Sequence, residues 1–563
     1  MGKFYQEQLD FSDTKSIEQA FAQLLAVSLD TREALERFME EESVLLDQLE
    51  EAITGHYIDF NCHNSSEEAK RAFEYDQQVI EPLMKRYEAK LDEAFLAAPA
   101  LAHLPEEKYG LFVKRKQNAQ QLYREENVKL EIEEASLATA YFEHTGSLTV
   151  DWDGQELTIP QLSPYFQDEN RDTRKKAMSL AREALLKIEE PLQKIFSKLM
   201  VIRQQKATNA GLANYRDYMF KKYARFDYTP EDCKQLALSI AKHVKPLKEK
   251  LQRQHADQLG VDTYRPWDIE AVIPGQQPLK PFDGAGELIE KAGTALDVLD
   301  ARFGALLRRM DAEGMLDLES RKGKSPGGFC APLPISKLSF IFMNHANTHD
   351  DMITLFHEMG HCIHNDLKKE LPLSLYRDTP MESSELASMS MELMTMDQWS
   401  LFYSSEEDLK RAKYKQLKGI VDFLPVGIVI DQFQHWLYEN PSHSEEERNQ
   451  KYRELLETID ANVPDWSGYE KWRESSWIRV LHIFEVPFYY VEYVIAQLGA
   501  LQLYKNYKQQ PEQTLARYRE ALALGSSKSL QEVYSAAGVH FDFSAEMIGD
   551  LMAFVEQELN ELA

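Results

Sequence analysis

Cysteine is scarce: four in 563 residues, Cys62, Cys233, Cys330 and Cys362, with no Cys-x-x-Cys pair. That argues against a disulfide framework and fits reduced thiols. Long apolar runs are also missing. No stretch approaches the roughly 18 uninterrupted apolar residues of a membrane-spanning helix. Residues Met1 to Gln8 hold neither the apolar core nor the small-residue cleavage site of a secretory leader. The expected setting is the cytosol, with no membrane partner. Positive charge is short as well: 64 Lys and Arg face 93 Asp and Glu, a formal net charge of −29. Such an excess of acid repels phosphate backbones and argues against nucleic acid as a partner. It suits cationic peptides or, more simply, a solvated acidic surface. Internal repeats and low-complexity tracts are absent too.

What is present is a globular composition, 43% hydrophobic and 28% charged. At this length the usual scaling buries about three-quarters of the surface, core enough for two lobes around a deep cleft. Apolar residues recur at spacings of three and four in Ser16 to Ala26, Arg32 to Glu51, Glu67 to Ala97, Thr173 to Lys206 and Asp232 to Gln258, which predicts long helices. Alternation on both sides of Asp153-Gly154, within residues 147 to 159, predicts a β-hairpin. Pro- and Gly-rich residues 259 to 285 and 323 to 334 read as loops. The second loop either lets a peptide backbone approach closely or serves as a plain connector.

The most informative ten residues are Leu355-Phe-His-Glu-Met-Gly-His-Cys-Ile-His364. Within them His357, Glu358 and His361 form His-Glu-x-x-His. On a helix, positions i and i+4 lie about 40° apart and one turn along the axis, so both imidazoles can reach one ion while Glu358 flanks it. The pattern suits a water activated at a divalent metal, with the carboxylate taking its proton. Context agrees: Leu338 to Met343 reads as a strand, and Asn347, Asp350 and Asp351 offer helix-start chemistry before Met352, Ile353, Leu355 and Phe356. Cys362 is turned away by about 100° and reads as a packing residue.

A catalytic zinc usually takes three protein ligands and keeps one open position. A third His six residues past His361, the metzincin arrangement, is missing, because that position is Leu367. His364 shares the face of His357 but lies about 10 Å along the axis, too far for one ion; it reads as supporting, substrate-facing or packed. The next carboxylate-rich segment, Met381 to Glu392, offers Glu382, Glu385 and Glu392. Glu385 and Glu392 share a helix face two turns apart, so one can ligate while the other accepts an imidazole N–H. Small Ala387 and Ser388 would let this helix press against Gly360.

His357-Glu-Met-Gly-His361 followed by Glu385-Leu-Ala-Ser-Met-Ser-Met-Glu392 resembles the thimet oligopeptidase family, its oligoendopeptidase F branch in particular. The likeness extends to Arg265-Pro-Trp-Asp268, to His482-Ile-Phe-Glu-Val-Pro-Phe-Tyr-Tyr-Val-Glu-Tyr493 and to Gly525-Ser-Ser-Lys, spanning residues 265 to 538, and more weakly to residues 147 to 174. It implies a mainly α, two-lobed zincin-like fold with a small sheet beside the site and a deep substrate channel. The approximate domains are an N-terminal helical lobe over 1–200 and a catalytic lobe over 201–563. It selects Glu385 as third ligand of one Zn²⁺ per chain and places a further Glu at Glu392. It assigns His482, Tyr490 and Tyr493 to substrate and transition state, where their N–H and O–H donors suit a developing oxyanion. Tyr489 joins them as a substrate contact. The spacing from His482 to its tyrosines is one residue shorter than in the mammalian branch, which leaves open which Tyr donates.

The expected activity is zinc-dependent endopeptidase action on short unfolded peptides, with Glu358 as general base and then proton donor. Peptide backbone would pair with Ser339 to Met343 as an added strand, using Ser339 and Ile341. The alternatives are a zinc exopeptidase of peptidyl-dipeptidase or carboxypeptidase type, which needs a charged anchor for a substrate terminus, and a non-catalytic peptide-binding protein.

Overall fold

Helical periodicity becomes helix along most of the chain, which this computed structural model describes over residues 4–11 and 13–563. The fold is mainly α with two small sheets. Among the described residues no helix is long and apolar enough to cross a membrane. Two predicted helices are broken where proline demands it. The 173–206 stretch is two helices, Arg171–Lys187 and Glu189–Asn209, parted at Ile188; Pro191 has no N–H for the carbonyl one turn back and is best placed in a first turn. In the 67–97 stretch a π segment, Asp76–Ile80, precedes Pro82.

The chain forms two compact units, each built from three separate stretches. The first holds Met1–Tyr123, Leu279–Ala412 and Ile495–Phe541; the second holds Arg124–Pro278, Lys413–Val494 and Asp542–Ala563. These are not the sequential lobes 1–200 and 201–563. In the first unit the N-terminal helices share one core with a later segment, Phe38, Phe95 and Phe112 packing with Leu373 and Tyr376. Buried Glu51 also accepts hydrogen bonds from the backbone of Ile335 and Ser336, at 2.6 and 2.8 Å. Gly525 belongs there too: its φ of +54° and the Tyr376 carbonyl, 2.3 Å from where a Cβ would stand, leave room only for glycine.

The hairpin belongs to the second unit. Strands β1 (Thr149–Trp152) and β2 (Gln155–Thr158) pair antiparallel across Asp153 and Gly154. Both turn residues have positive φ, 53° and 85°, as a two-residue hairpin turn requires. Val150 and Trp152 bury against Ala177 and Ala184 of helix Arg171–Lys187. The Arg265-to-Asp268 motif anchors that helix: fully buried Asp268 accepts from Arg171 and Arg174 at 2.6–3.0 Å. Although burial raises a carboxyl's pKa, these guanidinium bonds hold that of Asp268 below the usual value.

In the first unit β3 (Leu316–Glu319), β4 (Phe329–Leu333) and β5 (Leu338–His345) form a sheet in the order β3-β5-β4. β4 arises inside a segment that reads as loop by composition. Pairing with β5 overrides that composition, and Pro332 is tolerated because β4 is an edge strand. β5 is central, parallel to β3 and antiparallel to β4. A peptide therefore cannot add to Ser339–Met343: Ser339 faces Pro332, and Ile341 faces both Cys330 and Leu316. Both side chains are buried, and the Ser339 hydroxyl already accepts from Asn365 at 3.0 Å. The substrate contacts expected of Ser339 and Ile341 are corrected on that ground.

Candidate metal centre and aromatic cluster

Thr348 starts the helix that follows β5. Its hydroxyl accepts from the Asp351 N–H, and the Asp351 carboxylate accepts from the Thr348 N–H at 2.8 Å, closing a capping box on helix His349–Lys368. Asn347, at φ +63°, makes the turn. The helix bearing the carboxylates is Met381–Met394, almost wholly buried. It is tied from outside by two buried tyrosines, Tyr518 donating to the Ala387 carbonyl at 2.8 Å and Tyr534 to the Glu382 carbonyl at 3.0 Å.

The two helices touch at Gly360, as the small residues Ala387 and Ser388 suggested. A Cβ at Gly360 would stand 2.5 Å from the Ser388 Cα and 2.7 Å from the Ala387 carbonyl oxygen. This approach brings the candidate donors together. One ligand atom each from His357, His361 and Glu385 all lie within 4.8 Å of one another. The Glu385 Oε2 is 3.3 Å from His357 Nε2 and 3.7 Å from His361 Nε2. The far nitrogen of His357, Nδ1, lies 2.7 Å from Glu392 Oε1. Ser388, which sequence reading took only as a small residue, donates to Glu385 Oε2 at 2.9 Å. Its position three residues after Glu385 on the same helix is the signal that could have marked it.

Electrostatics describe a donor set built for a cation. Burial disfavours a charged imidazole at both His357 and His361, and the outcomes differ. His361 falls to about 4. His357, hydrogen-bonded to Glu385 and Glu392, is held well above its ordinary value. A ring with carboxylates at both nitrogens needs a positive charge on it or between its partners. A divalent ion near Nε2 supplies that charge and frees Nε2 to ligate, so two imidazoles and a carboxylate fit zinc. Burial likewise pushes Glu358 up to about 7, with Glu385 and Glu392 adding to the rise and His357 opposing it. His364 is 2% exposed and its basicity is lowered by burial. Of its three readings, this burial favours the packed one over contact with substrate. Cys362 packs with its Sγ 3.6 Å from that of Cys330.

The aromatic segment is part of the second unit. His482 stacks on Tyr489 at 5.7 Å between ring centroids and meets Tyr490 and Tyr493 edge-on at 4.9 and 5.8 Å. All four are half-buried. Three groups absent from the sequence reading hold the backbone beneath them. Fully buried Arg203 donates to the carbonyls of Ile483, at 2.9 Å, and Phe484, and its charge is matched by Glu134 at 2.6 Å. Arg225 donates to the Phe488 carbonyl at 2.5 Å and pairs with Glu492 at 2.6 Å. Gln434 accepts from the Phe488 N–H at 2.8 Å, fixing a residue whose φ is +67°. Partners more than fifty positions away leave no local sequence signal.

Residues 165–552 match the sequence profile of peptidase family M3. The chain is 25% identical over 429 residues to the chromosomal oligoendopeptidase F of Lactococcus lactis subsp. cremoris, and 23% identical over 429 residues to an oligoendopeptidase F homolog of Lactococcus lactis subsp. lactis. Each match takes in 72% of this chain and 66% of the relative, just under two thirds of the relative's length. Among solved structures, PZ peptidase A with an inhibitor superposes with a TM-score of 0.92 at 26% identity, covering 99% of both chains.

Proposed function

The chain belongs to peptidase family M3, and from that premise we propose that it is a zinc-dependent endopeptidase acting on short unfolded peptides. The observation that carries the reading is the convergence of His357, His361 and Glu385 within 4.8 Å, with Glu358 on the next residue of the same helix. One zinc would be held by those three side chains, and when bound it supplies Lewis acidity, lowering the pKa of water and polarising a carbonyl. Glu392 fixes the His357 ring through Nδ1, and Ser388 fixes the Glu385 carboxylate.

Glu358 takes the proton of the attacking water and returns it to the leaving amine. A carboxyl pushed up to about 7 can do both near neutrality, and a neighbouring cation pulls it back toward the ionised form that accepts first. His482, Tyr490 and Tyr493 supply donors for peptide and oxyanion. Burial raises the Tyr490 pKa, so its phenol keeps the proton it must donate. Tyr489 lines the same cluster. With β5 occupied on both sides, the strands left for a peptide backbone are the two edges, β3 and β4, whose outer sides pair with no strand among the described residues.

The test is mass-spectrometric digestion of a mixed-length peptide library with blocked ends, before and after chelation and zinc add-back. Internal cleavage of the shorter peptides, lost with chelator and restored by zinc, is expected. Cleavage confined to peptides with open ends would establish an exopeptidase instead. No chelator-sensitive cleavage would leave a peptide-binding protein.

A further inference from the structure

Among the described residues a second set of metal-ligating side chains converges, in the second unit: Cys233, Asp431 and His435, one ligand atom from each within 4.8 Å of the others. Cys233 lies in the first turn of helix Pro230–Leu259, and Asp431 and His435 are one turn apart on helix Glu406–Glu439. Cys233 and Asp431 are fully buried and His435 is 2% exposed. Neither ring nitrogen of His435 has a hydrogen-bond partner, and neither does Asp431 Oδ1. The ring's nearest carboxylate contact, Nε2 to Asp431 Oδ2 at 3.4 Å, lacks the geometry of a hydrogen bond. Phe220 and Phe488 meet the His435 ring edge-on at 5.9 and 5.3 Å and offer it no acceptor.

Buried polar atoms with no partner are rare because nothing offsets their lost hydration. Here three such atoms belong to two residues that face a third metal-binding side chain. The remaining oxygen of the carboxylate is held in place, since Gln432 donates to Asp431 Oδ2 at 2.9 Å and to the Cys233 carbonyl at 3.3 Å. That leaves Oδ1 free to turn to a cation. We propose that Cys233, Asp431 and His435 bind a second zinc ion with a structural role. Sulfur, imidazole nitrogen and carboxylate oxygen together select a borderline-soft divalent ion and reject magnesium and calcium. On binding, the Cys233 thiol loses its proton to solvent as the S–Zn bond forms. The ion ties helix Pro230–Leu259 to helix Glu406–Glu439 beneath Phe488, whose backbone Gln434 and Arg225 already hold.

Sulfur separates this site from the first, which has no thiolate. The full chain is purified under reducing conditions without chelator, its zinc counted by elemental analysis, and the metal exchanged for cobalt. Two zinc ions per chain are expected, falling to one in Cys233→Ser, in His435→Ala and in Glu385→Ala. The cobalt form should show thiolate-to-cobalt charge-transfer absorption in the wild type and in Glu385→Ala, and lose it in Cys233→Ser. A wild type with one zinc that Glu385→Ala removes, or a cobalt form without the charge-transfer band, would overturn the proposal. The wild-type measurements decide it even where a variant fails to fold.

Discussion

The two clusters share a plan and differ in surroundings. Each takes two ligands one turn apart on a single helix, His357 with His361 and Asp431 with His435, and a third from another helix. In the first, the side chains of His357 and His361 keep 22% and 16% of their exposure, and the groups behind the donors are engaged by Glu392 and Ser388. In the second, exposure falls to 2% or less, both His435 ring nitrogens and Asp431 Oδ1 make no hydrogen bond, and aromatic rings meet the imidazole edge-on. Exposure beside oriented ligands leaves a position for substrate. A set sealed from solvent offers substrate no approach and suits an ion that only holds helices together. On the two proposals, the same spacing would serve chemistry in one unit and cohesion in the other.

The difference breaks most sharply at Glu358, which has no counterpart beside Asp431. Glu358→Gln keeps size and burial but removes the base, so kcat/KM on a blocked peptide should fall by about 10²–10⁴ while zinc content stays unchanged. Activity within tenfold of wild type would remove the general-base role. Next in size is Glu392→Gln. An amide is a weaker acceptor for His357 Nδ1, so zinc affinity at the first site should drop by about 10–100-fold in a competitive chelator titration. Charge-transfer absorption from the second site should not change. Unaltered zinc affinity would make Glu392 a bystander.

Sequence and structure agree where the signal is local. The His-Glu-x-x-His helix, its capping region, the Asp153-Gly154 turn and the close approach at Gly360 all rest on spacings of four residues or fewer, or on one small residue meeting another. The divisions of the chain were not legible, because they depend on Tyr376 packing with Phe112 and on Glu51 reaching Ser336, contacts across hundreds of positions. Strand β4 was hidden for the same reason: residues 329–333 look like loop until β5 lies beside them. Cys233 and His435 stand about two hundred positions apart, so no motif announced them, although Asp431 and His435 carried the i, i+4 spacing in plain view.

Glycines sharpen the comparison at its lower end. Gly360→Ala drives a methyl into backbone atoms of the facing helix, 2.5 Å from Ser388 Cα, and backbone cannot swing aside as a side-chain tip can. Overpacking of this kind costs about 1–3 kcal/mol, and calorimetry should show the melting temperature falling, with zinc affinity at the first site falling too as the helices part. Gly427 has a similar near contact, but there the atom met is a side-chain carbon, Val494 Cγ2 at 2.6 Å, and not backbone.

Gly419, on the helix that carries Asp431 and His435, is the opposite case. A Cβ there meets nothing within 4 Å, and the residue sits inside helix Glu406–Glu439 without positive φ. Glycine in a helix interior costs stability only through the freedom its unfolded chain enjoys. Gly419→Ala should therefore stabilise the protein by about 0.5–1 kcal/mol, read as a raised unfolding midpoint in denaturant with an unchanged slope. Zinc count and peptide cleavage should stay at wild-type values. A lowered midpoint would mean that this exposed face meets something the helix alone does not reveal, and the contrast with Gly360 would lose its basis.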